Sequence, residues 1–176
     1  MSSALGYIGR SGGDNKAGVH KIMLVSAVDD RPLVSHGRVY VVDRDADYPV
    51  QGDEILIGAV ASVKPSALAL LSAGNDFYPA VRLELWDGQP VLPPGRWDAV
   101  ETTNLTLLHG KIRLANSVGM QYLEPGFAIP PGNYAVRVCC RGRERAPHGE
   151  EIPQHVPLDP QEHWLIQFSP ESLTEF

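Results

Sequence analysis

One phrase, used twice, constrains this chain more than any other feature. It reads Pro-Pro-Gly-x-aromatic, first as Pro93-Pro94-Gly95-Arg96-Trp97 and again as Pro130-Pro131-Gly132-Asn133-Tyr134. Proline presets φ at the first central position of a turn, and glycine accepts the φ > 0 that a type II turn needs next. Each copy therefore redirects the chain sharply. The residues that follow, Trp97 to Val100 and Tyr134 to Val138, mix aromatic and β-branched types that favour extended backbone. The repetition is read as convergence of similar turns on the same residues rather than as a duplication.

Short apolar runs surround the two phrases. They fall at residues 19–28, 39–42, 55–60, 81–86, 97–103, 105–108, 111–114, 120–123, 134–140 and 163–168. Several alternate at a period of two, as in Val81, Leu83 and Leu85 against Arg82, Glu84 and Trp86. Residues 19–28 are apolar on both phases, which predicts burial between layers. Residues 65–72 could open a helix at Pro65, but Leu68 and Leu70 against Ala67 and Ala69 suit a strand, the reading preferred. His109-Gly110 reads as the two-residue connection of a tight hairpin, and Pro125-Gly126 as the turn that ends the strand before it. No stretch carries a long amphipathic helix. The expected fold is all-β: a single-domain antiparallel β-sandwich, jelly-roll-like, with little helix.

At 176 residues the chain fits one domain. We place it at residues 19–176, behind a Gly- and Ser-rich leader, residues 1–18, expected to be flexible. A formal net charge of −6 argues against the broad electropositive surface that nucleic-acid binding uses. It suits a basic protein partner. No apolar run approaches the roughly 20 residues of a membrane span. Cys139 and Cys140 are adjacent on an expected strand and point to opposite faces, so they do not pair, and a reducing cytoplasm is the expected location.

Two charged clusters stand out. Asp43, Asp45, Asp47 and Glu54 take the first, third, fifth and twelfth positions of an EF-hand-like loop, but Tyr48 stands where the sharp turn requires glycine. The preferred reading is an acidic contact surface, Asp43, Asp45, Asp47, Asp53 and Glu54, for a basic partner, with no metal. Arg137, Arg141 and Arg143, followed by Arg145, fall on one phase of an extended strand and form a candidate anion site. The histidines match no zinc spacing. There is no nucleophile elbow and no phosphate-cradling glycine loop. No cofactor is expected, and an enzyme is the minority reading.

Three stretches, Asp53-Glu54-Ile55, the strand 80–85 and the turn Pro130-Pro131-Gly132-Asn133-Tyr134, give a layout between residues 19 and 140. It resembles that of the competence-associated inhibitors of DNA-entry nuclease, the ComJ type. The resemblance implies a small acidic β-sandwich that binds and blocks a nuclease or toxin without catalysis. It also implies carboxylates presented to a cationic active site, a role the loop from Asp43 to Glu54 could serve. A second reading makes the chain a ligand- or carbohydrate-binding, even hydrolytic, sandwich with a cleft near Trp86 and Trp97. A third makes it one subunit of a larger assembly, a homo-oligomer included.

Overall fold

The computed structural model describes residues 21–43, 53–119, 121–149 and 152–171; the side chains of residues 121 and 123–125 lie outside that description. Among the described residues the chain forms β1 (Leu24–Asp30), β2 (Arg38–Asp43), β3 (Ile55–Leu56), β4 (Ala61–Lys64), β5 (Ala67–Leu71), β6 (Ala80–Trp86), β7 (Ala99–Leu107), β8 (Lys111–Asn116), β9 (Gln121–Ala128), β10 (Gly132–Arg141) and β11 (His163–Pro170). The only helical piece among them is a 3-10 turn at Arg143–Arg145, and no helix is long and apolar enough to cross a membrane. The strands make a five-stranded sheet in the order β1-β6-β11-β10-β7 and a six-stranded sheet in the order β3-β4-β5-β2-β8-β9. The all-β expectation holds. Pairing is antiparallel except between β6 and β11, which run parallel.

The core lies between the sheets. From the first sheet come Val81, Leu83 and Leu85, Val136, Val138 and Cys140, and Trp164, Ile166 and Phe168; from the second, Val39, Val41, Leu68, Leu70, Ile112 and Leu114. These are the apolar phases of strands whose side chains alternate between faces. Each such Leu or Ile contributes on the order of 1.5–3 kcal/mol by leaving water.

The twice-used phrase now has a mechanism beyond its turn. The Trp97 indole Nε1 donates to the Pro93 carbonyl at 3.1 Å, and the Tyr134 hydroxyl donates to the Pro130 carbonyl at 2.6 Å. In both copies the aromatic residue reaches back to the first proline of its own phrase and locks the turn. Gly95 and Gly132 supply the positive φ, 121° and 154°. The strands launched this way, β7 and β10, lie side by side and antiparallel.

Several sequence expectations are corrected. Residues 19–28 are not a strand buried between layers. Residues 19 and 20 lie outside the description, β1 begins at Leu24 on the edge of its sheet, and Ile22, Met23, Leu24 and Val25 are 42–59% exposed. The run 55–60 is not one strand: β3 covers only Ile55–Leu56, and the chain then folds back into β4, with Ile57 N–H bonding the Ala61 carbonyl at 3.0 Å. Residues 97–103 and 105–108 merge into the single strand β7. The His109-Gly110 connection is no hairpin, since β7 and β8 belong to different sheets; it is an arch that carries the chain across the sandwich. Gly110 has φ 68°, and a Cβ there would meet the Ile129 carbonyl oxygen at 2.0 Å. Finally, Pro125-Gly126 does not end its strand. β9 is an edge strand, where a proline costs no ladder bond, and its register against β8 shifts between Ile112 and Leu114.

Candidate functional site

The acidic cluster is split by the fold. Asp43 closes β2 and is 1% exposed. Its carboxylate accepts the backbone N–H groups of His109, Gly110 and Lys111 at 2.7, 3.4 and 3.3 Å, so it pins the arch between the sheets. A buried acceptor with three donors has no contact to offer a partner. Asp45 and Asp47 lie outside the described residues. Glu54 faces Arg38 at 3.4 Å and accepts the Ser62 hydroxyl at 2.5 Å. Asp53 is exposed.

What stands beside Asp53 is apolar. β3 is the two-residue edge of its sheet, and Ile55 and Leu56 are 63% and 66% exposed. Beyond a cleft of about 510 Å³, lined among others by Asp53, Ile55, Val63, Pro65 and Leu105, stands Leu108, 64% exposed. The cleft follows the open side of the sandwich between β3–β4 and β7. Glu101 of β7 closes that side from within by accepting the N–H groups of Ala59 and Val60 at 2.6 and 3.0 Å. Isolated exposed apolar residues are ordinary, whereas Ile55 and Leu108 on one cleft, with Asp53 and Lys64 on its rim and Leu56 exposed on the other face of the same short strand, form a contact surface. Sequence reasoning weighed the charges and passed over Ile55 and Leu56, whose exposure is set by the fold-back at Ile57.

The arginines are also parted. Arg137 faces outward from β10 and donates to the Pro90 carbonyl at 2.9 Å and to Gln167 at 3.1 Å. Through Gln167 it joins a polar ladder across the outer face of the five-stranded sheet. Gln167 donates to Glu84 at 3.0 Å, Arg82 and Trp86 donate to Glu84 at 2.8 Å each, and Arg82 reaches Asp29 at 2.7 Å. Burial pushes the Glu84 carboxyl up, but the bonds from Gln167, Arg82 and Trp86 and the Arg82 charge outweigh it, so its pKa is lowered. Gly142, at φ 81°, ends the strand and breaks the phase expected for residues 137–145. Arg143 therefore turns inward, donating to the Leu71 carbonyl at 2.7 Å and lying 3.5 Å from the fully buried Glu162. Arg141 stays outside and stacks over Trp97, 5.2 Å from the ring centroid. Trp86 stands half-buried on this face, whereas Trp164 is in the core and donates to Glu162 at 2.9 Å.

Solved structures share this fold. The chain matches the crystal structure of ComJ, inhibitor of the DNA degrading activity of NucA, from Bacillus subtilis, with a TM-score of 0.57 and 11% identity. The match covers 86% of this chain and 99% of that one. The fold is that of ComJ. A structure described as crocagin biosynthetic gene J matches with the same TM-score of 0.57, 14% identity, and coverage of 83% of this chain and 97% of that one. No protein-family model and no curated protein matches the chain. The likeness to ComJ at this identity is one of fold.

Proposed function

We propose that this chain is a non-catalytic cytoplasmic protein that binds and blocks a basic protein partner, a nuclease or toxin, through the acid-rimmed edge at β3. The observation that carries the reading is the cleft lined by exposed Ile55 and Leu108 with Asp53 and Lys64 at its rim, beside the exposed Leu56 of the same edge strand. An apolar centre inside a polar rim is how protein interfaces are built, with the charges steering a partner of opposite sign. The net charge of −6 favours a basic partner over an acidic one. The fold supports the same reading, since ComJ, which shares it, is described as an inhibitor of a DNA-degrading activity.

The test is inhibition of DNA degradation in lysate of the protein's own cells, with wild type beside the paired variants Asp53→Asn and Leu108→Lys. Wild type is expected to suppress a nuclease that co-purifies with it at low salt and separates at high salt. Both variants, melting at the wild-type temperature, are expected to lose most of the suppression. Suppression that both variants retain in full would move the interface elsewhere. No suppression by wild type, with only the chain itself recovered, would reject the reading.

A further inference from the structure

A cationic cleft lies at the other end of β10, away from β3. It encloses about 560 Å³ and is lined by Arg96, Arg141, Arg145 and His163, with Asp98 and Glu144. The cations come from three places. Arg96 is carried by the first Pro-Pro-Gly turn, Arg145 by the 3-10 turn, and Arg141 and His163 are direct cross-strand partners of β10 and β11. Two basic side chains facing each other across strands repel once both are charged. The fold nevertheless fixes the pair: Arg141 is held on the Trp97 ring, and His163 is half-buried at the start of β11. The nearby carboxylates neutralise little of this. Asp98 already accepts the Arg143 N–H at 3.0 Å, and Glu144 lies 3.8 Å from Arg145. Among the described residues Arg96 and Arg141 have no carboxylate within ion-pair distance.

We propose that this cleft binds the dianionic phosphate of a small phosphomonoester. Guanidinium groups arriving from several directions match phosphate oxygens in geometry and number better than they match a single carboxylate. Asp98 and Glu144 on the walls, and the acidic chain around them, disfavour an extended polyanion such as a nucleic acid. A second cleft, sharing Arg141 and His163, adjoins the first; Pro93, Pro94, Trp97 and Leu165 give it apolar surface for the rest of the ester, beside Asp29 and Glu84, both already bonded by Arg82. Burial, with Arg141 and Arg145, lowers the His163 pKa, against a bond to the Pro160 backbone and the charge of Asp159. A dianion seated among these groups reverses that direction.

The experiment follows the His163 ring protons of the full chain by NMR as pH is lowered. Inorganic sulfate, doubly charged throughout, is compared with chloride at equal ionic strength, and phenyl phosphate with inorganic phosphate. Sulfate is expected to raise the His163 pKa. Phenyl phosphate is expected to bind more tightly than inorganic phosphate. Arg96→Gln and Arg145→Gln, both at exposed positions, are each expected to weaken binding about tenfold, a loss typical of one charge-assisted bond. Lys111→Gln, the same charge change elsewhere, is expected to leave it unaltered. An identical His163 titration in sulfate and chloride would overturn the site, as would equal weakening by all three variants. Phenyl phosphate binding no better than inorganic phosphate would overturn the ester.

Discussion

Glu162 is fully buried, and its two oxygens take the Ser72 hydroxyl at 2.7 Å, the Ala73 N–H at 3.1 Å and the Trp164 indole at 2.9 Å, with the Arg143 guanidinium 3.5 Å away. These partners come from the loop after β5, the turn after β10 and the start of β11, so one carboxylate ties both sheets together. An ion pair of this kind adds little over a well-packed apolar replacement, but removing one partner strands the other in low dielectric. Glu162→Ala is expected to lose about 3–5 kcal/mol of unfolding free energy. Arg143→Ala should fall in the same range, and the double variant should lose less than the sum. Urea denaturation of the four proteins checks this; additive losses would show that the pair is not coupled. Asp43 shows the same economy at the arch. Its place in an alternating acidic run suggested a surface group, yet an acceptor for three N–H groups belongs inside.

The arch itself shows how an element is decided by what surrounds it. His109-Gly110 has the residues of a hairpin turn, and a hairpin would have paired β7 with β8. Instead Asp43 gathers the turn's N–H groups and Gly110 lies against Ile129, whose N–H donates to the Gly110 carbonyl at 2.9 Å. Because a Cβ at Gly110 would meet the Ile129 oxygen at 2.0 Å, and φ is positive as well, Gly110→Ala is expected to cost more than the roughly 1 kcal/mol of an unhindered Gly→Ala change at left-handed backbone. Chemical denaturation reads the loss directly, and a loss below that figure would mean that the arch shifts freely. The two Pro-Pro-Gly phrases behave oppositely, because their hydrogen bonds lie within the phrase and need nothing from the rest of the fold.

Across the whole molecule, the ladder of Asp29, Arg82, Glu84, Gln167 and Arg137 joins β1, β6, β11 and β10, and Glu84 and Gln167 are 83 residues apart in sequence. Glu84 has a folded-state pKa below its unfolded value. Its contribution is therefore present above the unfolded carboxylate range and disappears as pH falls through the folded value. Wild type is expected to lose melting temperature more steeply than Glu84→Gln between about pH 5 and pH 2. Calorimetry across that range decides it, and parallel curves would remove Glu84 as a source of acid sensitivity. The charged group bonded to it is Arg82, itself paired with Asp29, and Gln167 links it to Arg137, so the ladder acts as a unit.

By itself the sequence determined what depends on near neighbours: the period-two faces of β6, β10 and β11, the turns of the two phrases, and hence an all-β chain. It also carried the layout similar to ComJ. Only the tertiary structure decided which strands pair and which charges are spent. Asp43 and Arg143 look as free in sequence as Asp53 and Arg141, yet the first two are consumed by backbone groups and a carboxylate from distant segments. Exposure of Ile55 and Leu56, and convergence of Arg96, Arg141, Arg145 and His163 on one cleft, follow from strand order and from the reversal at Gly142. Such pairings are fixed by long-range packing, which local propensity does not encode.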